Sequence, residues 1–559
     1  MPAHGGELIN RYNKLVAERA PFVARWERMA PLMAPSRTSS VMDLSPGAIQ
    51  TRGMYDSTTL HAAELHAMFI SGQVINPSQR WFGYAMRDAR VQKSDAVREW
   101  LEEIRDITLR NLAASNFYAE APESLVDWGG FGTGLLLCEE RSQPINRVVN
   151  GFRGLQFSAE RTGKFLIQEG PDGLVDTLFR DFKWTVRQIT TRWPNGNMPE
   201  AVKQAIQNGE LDKQFKIVHC IYPRPHAERN GVGNRAMPYA SAWLEYDSKT
   251  VIHESGYNRF PAAAPRYQKT PNEVYGRGRG DIAFPDTWTL NTAKRMGFED
   301  WALKIRPPVL HRHDSVIGTL RLTPGAPTSI NTHGQPIRDT IQPFETGSRP
   351  EVSQIKEDEL RKSIRNIFFV EQILALLEVN KSEMTAFEFA RKLELLFKLL
   401  GPVYGRLEWE WLYRHVDIVF DLQMAAGAFP APPPEAFDSD GVVDLVFQNP
   451  IARSQRAGDA EALTLALNDL APLAQVFGAR ALDRLDADRA ADGIFDLRGV
   501  PALWQRSDDE IEALRAARQQ QDEKDNALQD AAQIAESAGK AAPALAVLQQ
   551  RAGAAGAPR

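Results

Sequence analysis

Apolar residues recur at helical spacing in several long stretches of the chain. Leu8, Tyr12, Leu15, Phe22, Trp26 and Met29 set the first stripe. Pro31 and Pro35 are expected to stop it, and Pro21 to kink it or to open a second helix. A helix near residues 56–72 follows the caps Asp56 and Ser57 and ends near Gly72. Another over about 94–114 places Val97, Leu101, Ile104, Thr108 and Leu112 on one stripe. The period then changes. "GTGLLLCEE", "GLQFSAERT", "KFLIQEG" and "GLVDTLFRDFKWTV" are short apolar or alternating runs broken by glycine, which is strand and hairpin chemistry. Helical pieces, "TVRQITTRW" and "PEAVKQAIQNG", precede the strands "FKIVHCIYPR" and "SAWLEYD", so about 130–260 is an α+β region.

A glycine-rich turn leads into a helix of about 286–303, which Pro307 and Pro308 end. Residues 309–350 are strand- and turn-like. A helix over 351–377 follows, with Val352, Ile355, Leu360, Ile364, Ile367, Val370, Ile373, Leu374 and Leu377 on one side. At a rise of 1.5 Å per residue it is about 40 Å long. Two helices flanking a small β insert can form a stalk with a knob at its end. Next comes "LEVNKSEMTAFEFARK", a polar stretch with the single cation Lys381 between two apolar runs. Thr385 and Glu388 form a T-x-x-E capping box, so the next helix starts at Thr385. It carries Phe389, Leu393, Leu396, Leu400, Val403, Leu407 and Trp411, and Gly401-Pro402 inside it predicts a kink rather than a stop. "FPAPPPEAF" reads as a rigid linker, "VVDLVFQNP" as a strand, about 451–525 as helical, and the alanine- and glycine-rich tail as frayed.

The chain has 559 residues, more than one hydrophobic core usually serves. Hydrophobic residues make up 43% and charged residues 25%, which suits a soluble globular protein. The net charge of −5 rules out a basic coat that grips nucleic acid by its overall charge. Cys138 and Cys220 stand far apart, which excludes a disulfide framework and a cysteine-rich zinc site and fits a reducing cytosol. No signal peptide opens the sequence and no run of about eighteen apolar residues occurs, so a soluble protein made in the cytoplasm, without a membrane partner, is expected.

The candidate chemical motifs are each incomplete. "GRGRG" at 276–280 lacks the Lys-Ser or Lys-Thr of a phosphate-binding loop and reads as a tight turn feeding a helix. "GGFGTG" at 129–134 leads into a strand, so a pyrophosphate would find no helix N-terminus, and it reads as a flexible joint. His311, His313 and Asp314 could share a strand face around a metal, but no second cluster completes four ligands, and a polar patch is the simpler reading. His61 and His66 lack the spacing of a zinc-binding helix pair. Most of the 12 tryptophans lie on apolar stripes or beside strands, which favours core or subunit contact over base stacking. No catalytic residue, metal or cofactor is expected, and an assembly or conduit role is favoured over an enzyme.

Five stretches together carry a family resemblance: "RYNKLVAERAPFVARWERMAPLMAPSR", "MYDSTTLHAAELHAMFISGQVINPSQRWF", "NEVYGRGRGDIAFPDTWTLN", "SEMTAFEFARKLELLFKLLGPVYGRLEWEWL" and "NPIARSQRAG". Over about residues 10–460 the chain resembles the head-to-tail connector, or portal, of short-tailed bacteriophages. The resemblance implies a ring, usually of twelve copies, at one capsid vertex of the virion, assembled in the host cytoplasm. It implies an α+β portal fold: wing (1–285), first stem helix (286–303), clip (304–350), second stem helix (351–377), channel loop (378–384), kinked helix and return to the wing (385–450), helical crown (451–525) and flexible tail (526–559). Asn380, Lys381 and Ser382 would then face a channel for double-stranded DNA. His311, Arg312, His313 and Asp314 would lie in the clip, where a terminase motor and later tail adaptor proteins dock. Thr385, Glu388, Gly401 and Pro402 would shape the kinked helix. Major capsid and scaffold proteins would surround the ring.

One lysine per subunit, repeated by symmetry, becomes a ring of charge. Each exposed contact with a phosphate is worth about a kcal/mol or less, enough to centre or brake a duplex without trapping it. An ATP-driven DNA translocase is the first rival reading, and it would need a phosphate-binding loop. A smaller tail adaptor is the second, and the length and the β insert argue against it.

Overall fold

The computed structural model describes residues 5–42, most of 44–142, 151–225, 233–305, 309–311, 341–343, 350–377, 386–437, 442–448 and 510–524, with isolated residues elsewhere. The chain divides into two compact units. One comprises Met1–Tyr84, Ile104–Ala431 and Leu445–Ala462; the other comprises Ala85–Glu103, Pro432–Asp444 and Leu463–Arg559.

The first helix, α1 (Gly5–Met33), runs through both Pro21 and Pro31 without ending at either. The expected second helix at Pro21 is absent because the two halves are anchored in different cores. Leu8, Ile9, Tyr12 and Leu15 pack with Leu166, Phe179, Val218 and Leu244, whereas Trp26, Met29 and Met33 pack with Phe131, Phe165 and Leu290. Burial on both sides outweighs the roughly 3 kcal/mol that an interior proline costs. The stop comes at Pro35, which opens a single 3₁₀ turn, Pro35–Arg37, followed by the short α2 (Thr38–Val41).

Helix α3 (Thr58–Val74) begins where the Asp56 carboxylate accepts from the Thr58 amide at 2.9 Å, and it passes Gly72. Helix α4 (Asp95–Ala113) buries the expected stripe of Val97, Leu101, Ile104, Thr108 and Leu112. Helix α5 (Phe117–Phe131) was not foreshadowed by a stripe. It is buried on several faces, including Phe117, Leu125, Trp128 and Gly129, so it shows no amphipathic period.

The strands are β1 (Phe82–Met86), β2 (Leu136–Glu140), β3 (Leu155–Ala159), β4 (Phe165–Glu169), β5 (Val175–Thr185), β6 (Gln214–Pro223), β7 (Tyr239–Glu245), β8 (Val251–Tyr257) and β9 (Ala262–Ala263). An antiparallel five-stranded sheet runs β4-β5-β6-β7-β8, and a three-stranded sheet runs β3-β2-β9. The five-stranded sheet follows chain order because each turn is a hairpin or a short helical excursion, α6 (Val186–Arg192) and α7 (Glu200–Gln207) between β5 and β6. Helix α6 opens on a capping box between Thr185 and Gln188.

Helix α8 (Arg279–Ile305) starts seven residues before the expected 286, inside "GRGRG", and carries Pro285 in its interior. Strands β10 (Val309–His311) and β11 (Ile341–Pro343) pair antiparallel, His311 opposite Ile341. The helix expected over 351–377 is two helices, α9 (Pro350–Ile367) and α10 (Val370–Leu377). Phe369 takes a left-handed φ of 60° between them, so one straight 40 Å rod does not form. The expected stripe also fails within α9 itself: Ile364 is buried, as are Val370 and Ile373 in α10, but Ile355, on the opposite face of α9 from Ile364, is 61% exposed. Helix α11 (Ala386–Leu407) passes through Pro402 to a π turn, Glu408–Leu412, which leads into α12 (Tyr413–Ala425). Strand β12 (Val443–Phe447) pairs with β1. In the second unit, Arg87 pairs with Asp444 at 2.9 Å, and residues 510–524 are helical.

Candidate ring interface and channel elements

The root of α8 is a lock of two glycine motifs. Gly132 closes α5 in the left-handed region at φ 93°. A Cβ on Gly132 would stand 2.5 Å from the Gly276 carbonyl oxygen, and one on Gly278 would stand 2.4 Å from the Gly130 carbonyl oxygen. Backbone therefore packs directly on backbone, tied by the Tyr267 amide donating to the Gly132 carbonyl at 2.9 Å and the Gly276 amide donating to the Thr133 hydroxyl at 2.8 Å. "GRGRG" is thus the tight turn that feeds the helix. "GGFGTG" is a buried C-cap rather than a flexible joint, because side chains of any size would push the two turns apart.

Polar pairs then fix α8 against α9 and α3. Lys294 Nζ lies 2.9 Å from the buried Glu357, and the Ser363 hydroxyl donates to Asp286 at 2.6 Å. Thr59 and Thr287 share a hydrogen bond of 2.8 Å, and Arg361 reaches Asp56 at 3.1 Å. Burial opposes the charge on Asp56, but hydrogen bonds from Thr58 and Arg361 outweigh it and hold the carboxyl below its usual range.

The break between α9 and α10 sits on an aromatic cage. The His66 Nδ1 lies 3.1 Å from the Phe368 carbonyl, and the ring stacks near Trp128, Tyr267 and Phe369. The Arg279 guanidinium, from the first turn of α8, lies 4.5 Å from the centre of the Phe369 ring and donates to the Tyr267 hydroxyl at 2.8 Å. Burial, with Arg279 nearby, lowers the His66 pKa to about 4, so the imidazole is neutral near pH 7. At the other end, the π turn aims Glu410 at Arg266, which donates through its amide at 2.8 Å and through Nη2 at 2.7 Å. Arg266 is 1% exposed and also reaches Glu169, itself paired with Lys269 at 2.7 Å.

Ile282 and Trp288 are exposed between buried positions of α8, and beyond Lys294 no described residue of the helix is buried. Met296, Phe298, Trp301, Leu303 and Ile305 are all exposed, Trp301 at 63%. At about 100° per residue, Met296 and Leu303 fall on one face and Phe298, Trp301 and Ile305 on the opposite one. The i,i+4 pairs Arg295–Glu299 at 3.7 Å and Lys304–Asp300 at 3.0 Å join successive turns of this stretch. Sequence reasoning named none of these apolar residues as a site. Their signal is the lack of a single stripe in "MGFEDWALKI", which marks a helix that needs cover on two sides.

Of the residues singled out from sequence, His311 ends β10, Glu388 lies in the first turn of α11, and Gly401 and Pro402 lie inside it, Pro402 exposed. The helix begins at Ala386, one residue after Thr385. Asn380, Lys381, Ser382 and Thr385, and Arg312, His313 and Asp314, lie outside the described residues. So do most of the expected crown, apart from 510–524 and isolated residues, and nearly all of the expected tail. Among the described residues no helix is long and apolar enough to cross a membrane and no group of three metal-binding side chains occurs.

Distal α8 thus presents apolar residues on two opposed faces. The chain belongs to the family described as bacteriophage head to tail connecting protein, whose model matches residues 5–503. It is 25% identical over 521 residues to a portal protein of Salmonella phage epsilon15, covering 92% of this chain and 91% of that one. It is 24% identical over 539 residues to a probable portal protein of Bordetella phage BPP-1, covering 95% and 94%. A chain from the virion of a native gene transfer agent particle aligns over 76% of this chain and 90% of its own at 12% identity with a TM-score of 0.28, too loose to bear on the argument. The chain is therefore a phage portal, or head-tail connector, protein.

Proposed function

We propose that copies of this chain close head-to-tail into a ring, twelve by the family's usual number, at one capsid vertex of the virion. Double-stranded DNA passes through its bore during packaging and ejection. In this reading 1–285 is the wing, 286–303 and 351–377 the stem, 304–350 the clip, 378–384 the channel loop, 385–450 the kinked helix and return to the wing, 451–525 the crown and 526–559 a tail. A terminase motor and then tail adaptors dock on the clip around His311, Arg312, His313 and Asp314. Capsid and scaffold proteins surround the wing. The work of translocation belongs to the motor, and the ring itself is structural.

The observation that carries the reading is the pair of opposed apolar faces on distal α8. In a head-to-tail ring every subunit has a neighbour on each side, so a stem helix is flanked twice. That geometry covers both faces, whereas a two-fold dimer would cover one. Lys381, with Asn380 and Ser382, supplies a sparse ring of polar contacts to passing phosphates, each worth about a kcal/mol or less. Electron microscopy of the purified protein tests the ring. Closed rings with an open bore are expected, and monomers or solid particles would overturn the reading.

A further inference from the structure

An open cleft of about 970 Å³ lies between the outer faces of β3 and β5, helix α6 and the ends of β7 and β8. Nothing in the connector role uses it. Its volume is at the upper end for ligand sites.

One wall is aromatic. Trp184 stacks on Trp193 and on Trp243, with ring centres 5.4 and 5.3 Å apart, and Phe182 lies against Trp184. Trp193 and Trp243 are buried, but Trp184 and Phe182 remain half-exposed toward the cleft. The facing wall is polar, with Gln156 and Ser158 pointing out from β3 while Leu155 and Phe157 point into the core.

The charges are unevenly satisfied. Glu160 accepts from Arg180 at 2.5 Å, and Glu139 accepts from the Tyr257 hydroxyl. Two arginines at the mouth are less committed. Arg187 meets Asp212 only at 3.5 Å, with both side chains at least 66% exposed, and exposed Arg192 makes no ion pair among the described residues. Arg192 is close enough to depress His253, whose pKa is lowered by burial first and by this guanidinium second.

The backbone edge of β3 is already blocked. Asn116 donates to the Phe157 carbonyl at 2.7 Å and accepts from its amide at 2.8 Å, and Glu120 accepts from the Ala159 amide at 2.9 Å. A ligand cannot add there as a further strand, so side chains must recognise it.

We infer that this cleft binds an acidic peptide segment of a partner protein, with a proline or aromatic ring against Trp184 and Phe182 and a carboxylate between Arg187 and Arg192. Flat aromatic surface suits a ring, because it offers contact area at little cost in side-chain entropy. Guanidinium pairs suit a carboxylate. A nucleic-acid strand fits less well, because it would bring one phosphate per nucleotide past Glu139 and Glu160. The inference does not depend on the ring.

The test uses the full-length purified protein and two fluorescein-labelled peptides, Asp-Glu-Pro-Phe-amide and its neutral counterpart Asn-Gln-Pro-Phe-amide, followed by anisotropy. The acidic probe is expected to bind saturably and about tenfold more tightly than the neutral one, the tenfold factor equal to about 1.4 kcal/mol. Arg192→Gln, an exposed position that leaves the fold intact, should remove most of that difference. Trp184→Ala should weaken both probes together. An octathymidylate displaces the acidic probe only weakly on this account. Equal binding of the two probes, no effect of Arg192→Gln, stronger competition by the oligonucleotide, or no saturable binding would each overturn the inference.

Discussion

Up to Lys294, α8 is held by its own chain through the glycine lock, buried Leu290 and the Lys294–Glu357 pair, with Ile282 and Trp288 its exposed large apolar residues, whereas from Arg295 to Ile305 every residue but Asp300 is exposed. The composition of the two halves does not differ in the expected direction. The exposed half is at least as apolar. In a lone folded chain that arrangement would waste the largest driving force available, roughly 25 cal/mol per Å² of apolar surface. The contrast teaches that the buried part of α8 ends near residue 294, and in the proposed ring the rest of the helix makes its contacts with neighbouring copies.

Four variants, one of them read through a pH series, break or sharpen this contrast. The largest effect is expected from Phe298→Glu combined with Trp301→Glu. A charge on one opposed face should abolish rings seen by electron microscopy or light scattering and leave the thermal midpoint of the monomer unchanged. A lowered midpoint would mean the distal half belongs to the fold after all. Leu290→Ala, in the buried half, should do the reverse. It should cost about 3 kcal/mol of stability in denaturant titration, and rings should still form wherever the protein is folded.

A pH series probes the same root through His66. Its folded pKa is lowered to about 4 from the ordinary 6.5, so the unfolded chain binds the extra proton first as acid is added. The stabilising contribution is therefore fully present above pH 6.5 and is lost as pH falls through 4, amounting to about 3 kcal/mol. His66→Gln should flatten that part of the stability profile, and an unchanged slope would remove His66 from the account. The smallest effect is expected from Lys381→Ala in an infectious phage, with a modest change in packaging rate or DNA retention. Behaviour identical to wild type would leave Lys381 a solvated loop residue.

Much of this architecture was legible in the sequence where a helix or strand has one buried face. The Val97–Leu112 stripe gave α4 nearly to the residue, and the alternating runs gave β2 to β7. Failures came where packing on several sides erased the period, as in α5, or where tertiary anchoring overrode a local breaker, as at Pro21. The break at Phe369 left no local mark, because no glycine or proline announces it and only the cage around His66 explains it. Two glycine motifs that mimic phosphate cradles proved to be partners of each other, a relation between residues 130 and 278 that no single window contains. Of the candidate site, the family resemblance set only the expectation of a stem, and the exposed apolar faces emerged once burial could be separated from hydrophobicity.

Cryo-electron microscopy of the purified assembly, resolved well enough to trace α8, tests the central claim most directly. The account predicts an open bore with Met296 and Leu303 covered by one adjoining copy and Phe298, Trp301 and Ile305 by the other. A particle with no bore, or with Trp301 facing solvent in the assembled state, would contradict it.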